Sequence, residues 1–178
     1  MKNKIALLLA FVVTVVLSMS ACSGSVDNQQ LKATADSLQK VGMPDTAATM
    51  GARALLMDKD EFAEAQAQLI VDGLENGTLS ADEATQQMNE VYAIAKRVGR
   101  DDCAKAFYEA LDQLAADLPV DRQMLVYCHA TTPAALGAAL KAEKAKKDAD
   151  QDLIADQIAA ARKIYKGKDL EAFDKAIK

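Results

Sequence analysis

The apolar residues Ala84, Met88, Val91, Tyr92, Ala95 and Val98 follow one another at spacings of 4, 3, 1, 3 and 3. No other feature constrains the chain as strongly. A helix turns once in about 3.6 residues, so this spacing gathers all six side chains on one face. A strand would scatter them over both faces. The segment also carries its own start and stop. Ser80 and Glu83 stand three apart before the series, as a capping box requires. Leu79 sits where a hydrophobic staple to Ala84 would form, and Gly99 ends the series. The spacing therefore predicts a long amphipathic helix.

The same reading extends along the chain. Leu31, Ala35, Leu38 and Val41 predict a first helix over 30–41, ended by Gly42 and Pro44. Asp45 or Thr46 caps a second, with Met50, Ala54 and Leu55, running to Met57. Asp58 starts a third, with Glu61 three positions on, the face Phe62, Ala65, Leu69 and Gly73, and a stop at Asn76-Gly77. Asp101 opens the helix of Ala104, Phe107, Leu111, Leu114 and Leu118, before Pro119. Residues 121–131 read as helix, because a lone strand would have no partner. Thr132-Pro133 is an N-cap followed by N1 proline, opening a helix with Leu136 and Leu140. The charged run and Ile154, Ile158 and Ala161 extend that helix unbroken to Lys166. Gly167 and Asp169 set off a last helix with Leu170, Phe173 and Ile177.

The fold class expected is all-α, either an antiparallel helical bundle or an irregular array of helical hairpins of tetratricopeptide-like architecture. The repeat signature of tetratricopeptide proteins is absent from the sequence. From residue 22 onward alanine is the commonest residue and aromatic residues are few. Alanine favours helix and permits close approach, but each one buries little area. Closely packed helices around a modest core follow.

The amino terminus predicts location. Lys2 and Lys4 precede 5–17, "IALLLAFVVTVVL", a run that is apolar except for Thr14. It is too short for a spanning helix, which needs roughly 20 apolar residues. A run of ~7–15 behind a basic start is the h-region of a secretory signal. Met19-Ser20-Ala21-Cys22 follows. This resembles the lipobox of bacterial lipoproteins, with Met19 where the family usually has Leu. The thiol matters chemically, because sulfur is the soft nucleophile that accepts the lipid. The resemblance ends at Cys22. It implies a signal peptide over 1–21 and a mature chain starting at Cys22, which would carry a diacylglyceryl thioether and an N-acyl chain of the palmitate kind. Two or more chains anchor a protein stably where one holds it only marginally. Ser23 rather than Asp after the cysteine favours the outer membrane in a Gram-negative cell. Residues 22–29 then form the lipidated cysteine and a short tether, and 30–178 one alanine-rich helical domain.

Acidic residues outnumber basic ones, 26 to 21, and removal of Lys2 and Lys4 with the leader widens the gap. Nucleic acid is an unsuitable partner for such a surface, and bilayer contact should come from the lipid rather than from basic residues. Cys103 precedes Pro119 by a longer stretch than separates Pro119 from Cys128. On two helices joined there the thiols would be offset by about 10 Å, beyond the roughly 7 Å Cα separation a disulfide spans. Two buried thiols are the preferred reading; a Cys103–Cys128 disulfide, which an oxidising envelope permits, is the alternative if either helix is broken.

Asp72 to Glu83, "DGLENGTLSADE", is similar to an EF-hand calcium loop. Such a loop takes oxygen ligands at positions 1, 3, 5, 7, 9 and 12, with glycine at 6. Asp72, Asn76, Thr78 (through its carbonyl), Ser80 and Glu83 fit the ligand positions, and Gly77 fits the glycine. Leu74 stands where an oxygen is needed. The same residues also read as a helix stop at Gly77 followed by a cap at Ser80 and Glu83, and this is the preferred reading, with no metal site. His129 is the only histidine. It points ~100° away from Cys128 on a regular helix, so the two form no thiol–imidazole pair, and zinc would need further ligands. Asp101-Asp102 read as helix-start charges, and the run from Lys141 to Asp152 as a solvated helix face. The sequence has no Gly-rich phosphate loop or nucleophile elbow. No catalytic residue and no cofactor beyond the lipid is expected. The leading expectation is a lipid-anchored bacterial envelope protein, not an enzyme, whose helical domain binds another envelope protein or acts as a scaffold. A calcium-binding module at 72–83 is the alternative, and an envelope hydrolase the third.

Overall fold

Asp27, Thr132 and Asp150 each begin a helix in the same way, with a side-chain oxygen accepting from a backbone N–H of the first turn that has no partner within the helix. The computed structural model describes residues 26–178. The leader and Cys22 lie outside the described residues. Among them are nine α-helices and no strand: α1 (Asn28–Lys40), α2 (Asp45–Leu56), α3 (Lys59–Glu75), α4 (Ala81–Arg97), α5 (Asp101–Leu114), α6 (Val120–Ala130), α7 (Pro133–Lys144), α8 (Gln151–Ile164) and α9 (Gly167–Ile177). A 3-10 turn, Ala115–Asp117, precedes Pro119. The protein is all-α.

The chain divides into two compact units. One takes the chain up to Ala63 with Val91–Ala106, and the other takes Glu64–Glu90 with Phe107–Lys178. In the first unit α1 packs on α2 across a short turn in which Gly42 has φ +89°. Gly51 of α2 faces Leu38, Val98 and Met43, and a Cβ there would lie 3.0 Å from both the Leu38 and Val98 side chains. Ala48, Ala52, Ala54, Phe62, Ala95 and Cys103 are fully buried in this unit. Its interior is built largely from small residues, so the helices approach closely with little apolar area per residue.

In the second unit α7 packs on α9 and α6 packs on α8. Met124, Cys128, Leu136, Leu140, Ala160, Ala161, Tyr165 and Phe173 form one core cluster. The Tyr165 and Phe173 rings meet at 5.5 Å between centroids, tilted by 45°, a favourable aromatic arrangement. Gly137 lets α7 and α9 come together: a Cβ on it would stand 2.8 Å from the Phe173 carbonyl oxygen and 2.9 Å from Ala176 Cβ.

Several boundaries differ from expectation. Neither Asp45 nor Thr46 caps α2: Asp45 is its first residue, and Pro44 stands at the cap with no side-chain hydrogen bond. The helix opened at Asp101 ends at Leu114 and tightens into the 3-10 turn before it reaches Leu118. The first helix begins at Asn28 rather than at residue 30, because Asp27 caps it by accepting from Gln29 N at 3.0 Å. The helix expected from Pro133 to Lys166 is broken at Ala145–Asp150. Its charged residues offer no apolar face to bury, and both broken ends find partners. Asp150 Oδ1 accepts from Leu153 N at 3.0 Å, and Gln151 Nε2 donates to the Lys144 carbonyl at 3.0 Å. Lys146 and Lys147 therefore belong to a turn, not to a helix face. Finally, Gly167 is the first residue of α9 rather than a spacer before it.

Gly137→Ala tests the α7–α9 contact. Alanine gains about 1 kcal/mol in helix propensity, but crowding a packed backbone costs about 1–3 kcal/mol. The unmovable Phe173 carbonyl decides the sign. Urea unfolding should show a net loss of about 1 kcal/mol; a variant more stable than wild type would mean that α9 yields freely.

Candidate functional site

The segment 72–83 is the one place where the sequence offers a ligand-binding motif, and its residues are engaged with one another. Asp72 lies inside α3 and accepts from Gln68 Nε2 at 2.6 Å. Asn76 Oδ1 accepts from Thr78 N at 2.9 Å. Gly77, at φ +74°, lets the chain leave the helix. Ser80 and Glu83 close a reciprocal box. Glu83 N donates to Ser80 Oγ at 3.3 Å, and Ser80 N donates to Glu83 Oε2 at 2.9 Å. Ser80 Oγ also donates to the same carboxylate at 2.7 Å, and these bonds hold the Glu83 carboxyl below the usual carboxylate range.

Two apolar residues give the segment its shape. Leu74 and Leu79 are buried, and Leu79 packs directly over Gly73, where a Cβ would collide with its side chain. Leu79 N donates to the Gly73 carbonyl at 2.9 Å, as at the end of a Schellman-type stop. Burial of Leu74 explains why an apolar residue stands where an EF-hand has oxygen.

Arg122 completes the site. Its guanidinium reaches from α6 to the end of α3, where Nη1 donates to the Leu74 carbonyl and, at 3.0 Å, to the Glu75 carbonyl. A cation thus already occupies the negative end of the α3 dipole, beside the ligand positions. Among the described residues, no group of three or more His, Cys, Asp or Glu could hold a metal ion.

A matching arrangement lies in the first unit. Arg100 Nη1 donates to the Ala54 carbonyl and, at 3.5 Å, to that of Met57, at the end of α2. Asp102 grips the same guanidinium with both oxygens, at 2.9 and 3.0 Å. That hydrogen-bonded pairing brings the Asp102 carboxyl down to about 2. Asp101 pairs with Lys96 at 2.8 Å. The two acids at the start of α5 are thus helix-start charges with named partners. Cys103 Sγ, buried beside them, lies 3.7 Å from the Ala54 carbonyl.

Three polar links organise the second unit. His129 Nε2 and Thr85 Oγ1 are 3.2 Å apart, joining α6 to α4. Tyr165 Oη donates to the Cys128 carbonyl at 3.4 Å. Gln157 Nε2 donates to Gln123 Oε1 at 3.0 Å, and Gln123 Nε2 donates to the Ala116 carbonyl at 2.9 Å. Cys103 and Cys128 are both buried and free, and burial pushes the Cys128 thiol up to about 11. Neither is poised as a nucleophile, which requires the thiolate. Sequence spacing did not reveal Arg100, Arg122, Thr85 or Tyr165, because each acts across a long stretch of intervening chain. Compared with protein-family models, curated proteins and solved structures, the chain matches none.

Half-burial of His129 lowers its pKa, since it penalises the imidazolium. The unfolded chain therefore takes up this proton at a higher pH than the folded one. This contribution to stability is complete above 6.5 and declines as pH falls below that ordinary value. Denaturant melts of wild type and His129→Gln on both sides of pH 6.5 should show a smaller acid-side loss in the variant. Identical slopes would mean that His129 is as exposed folded as unfolded.

Proposed function

We propose that this chain is a lipid-anchored protein of the bacterial cell envelope whose helical part binds another envelope protein, as a scaffold or accessory subunit. The supporting observation is the order of features at the amino terminus: Lys2 and Lys4, the apolar run 5–17, then Met19-Ser20-Ala21-Cys22. On this reading the leader through Ala21 is removed and Cys22 carries the diacylglyceryl and N-acyl groups. Ser23 directs the product to the outer membrane in a Gram-negative cell. Among the described residues no helix is long and apolar enough to cross a membrane, so in this reading the lipid does the anchoring. With Asp27 as the cap of α1, only residues 23–26 separate the lipidated cysteine from that cap. At ~3.3–3.6 Å per residue this holds the α1 start within about 20 Å of Cys22.

The interaction role is supported by the fold class. Paired helices, such as α1 with α2 and α7 with α9, set side chains from two elements on one surface, the arrangement that helical adaptors use. The protein acts by binding rather than catalysis and needs no cofactor beyond its lipid.

Mass spectrometry of the amino-terminal peptide tests the anchor. Wild type should begin at Cys22 with the lipid mass, and Cys22→Ser should carry no lipid, because a hydroxyl does not replace the thiol as acceptor. A wild-type protein bearing unmodified Cys22 contradicts the anchor. Crosslinking of the lipidated wild type in intact cells tests the second half: a stoichiometric adduct with one envelope protein is expected, and uncrosslinked protein alone contradicts it.

A further inference from the structure

Asn76 is the only asparagine followed by glycine; Asn3, Asn28 and Asn89 precede Lys, Gln and Glu. The turn that holds Asn76-Gly77 has an unusual distribution of hydrogen bonds. Asn76 N donates to the Asp72 carbonyl at 3.0 Å, and Leu79 N donates to the Gly73 carbonyl at 2.9 Å. Thr78 N donates to the Asn76 side-chain oxygen at 2.9 Å. Gly77 N, between them, has no hydrogen-bond acceptor among the described residues. Asn76, Gly77 and Thr78 are all exposed, and nothing lies within 4 Å of where a Gly77 Cβ would be.

These features serve one reaction. A backbone amide held in a ladder is shielded as a nucleophile, and this one is open to water. Glycine has no side chain to block the approach. The Thr78 N–H drawn to Asn76 Oδ1 polarises the amide and is placed to stabilise negative charge on that oxygen, as an oxyanion donor does. The nucleophile and the electrophilic Cγ belong to adjacent residues, so the attack is intramolecular.

We propose that Asn76 is a self-modifying site, at which Gly77 N attacks Asn76 Cγ to close a succinimide that water then opens to aspartate or isoaspartate. In the first step the Gly77 N–Cγ bond forms and the Cγ–Nδ2 bond breaks. The Gly77 amide proton is given up to water or hydroxide, and Nδ2 leaves with a further proton as ammonia. In the second step water adds to one of the two imide carbonyls and opens the ring. Attack at Cγ gives back the ordinary backbone with aspartate at 76. Attack at the main-chain carbonyl gives isoaspartate, with one extra methylene in the backbone. No oxidation or reduction is involved. The extra methylene falls between Glu75, whose carbonyl Arg122 holds, and the Ser80–Glu83 box that starts α4. It therefore alters the register between α3 and α4. The modification makes this turn the site at which the second unit ages.

The test is incubation of the full native chain at neutral and mildly alkaline pH, followed by proteolysis and mass spectrometry, with the same chain in urea as reference. The peptide containing residue 76 should gain the amide-to-acid mass and split into two chromatographic forms, faster at higher pH. The peptide containing Asn89, inside α4, should stay unchanged in the native protein. Gly77→Ala should slow the conversion, since its side chain crowds the nucleophile. Should that variant not fold, the comparison of native with denatured wild type decides alone. Asn76 remaining intact in the native protein while the denatured chain converts overturns the proposal, as does conversion at Asn89 equal to that at Asn76.

Discussion

Every α-helix ends with carbonyl groups that have no partner within it, and in this protein two such ends are met by arginines far away in sequence. Arg100 serves the end of α2 through the Ala54 carbonyl. Arg122 serves the end of α3 through the Leu74 carbonyl. Guanidinium suits the task, because it offers several donors in a fixed fork and stays charged. Its charge also complements the negative end of the helix dipole. A hydrogen bond to a charged group contributes about 1.5–3 kcal/mol, and an unmet buried carbonyl costs a comparable amount. Each arginine therefore does what local caps cannot: it fixes a helix end to a later segment of the same unit. Asp102 holds Arg100 in place with two hydrogen bonds.

Small residues set the terms on which this works. With alanine at positions such as 48, 52, 67, 84, 95 and 161, all essentially inaccessible, helices lie close and leave few large side chains to absorb an error. Aromatic rings are placed where they count, Phe62 in the first unit and Phe107 and Phe173 in the second, each fully buried. Polar side chains that enter the interior come with partners, as Gln123 does through Gln157 and Ala116. A core of this kind is held by fit and by satisfied helix ends more than by bulk apolar area.

What was legible in the sequence was local. The helix that begins at the Ser80–Glu83 box and the Thr132–Pro133 start each state their structure within a turn or two, and each stands where expected, although of the apolar series Tyr92 is exposed and Val98 lies just past the helix end. The turn at Ala145–Asp150 was not legible, since a charged run inside a helical pattern reads equally as a solvated face. Gln151 reaching back to Lys144, and Asp150 turning forward to Leu153, mark the break. The candidate site was half legible. Its residues could be named from the sequence. That Leu74 is buried and that Arg122 already stands at the end of α3 depends on contacts between distant parts of the chain, which no periodicity records.

That a distant cation holds a helix end is most directly measured at Arg122. Arg122→Met keeps the aliphatic stem and removes the donors. Equilibrium unfolding in urea should show a loss of about 1.5–3 kcal/mol with an unchanged slope, because the surface exposed on unfolding is the same. An unfolding curve that overlays that of the wild type would contradict it, leaving the carbonyls of Leu74 and Glu75 satisfied without Arg122.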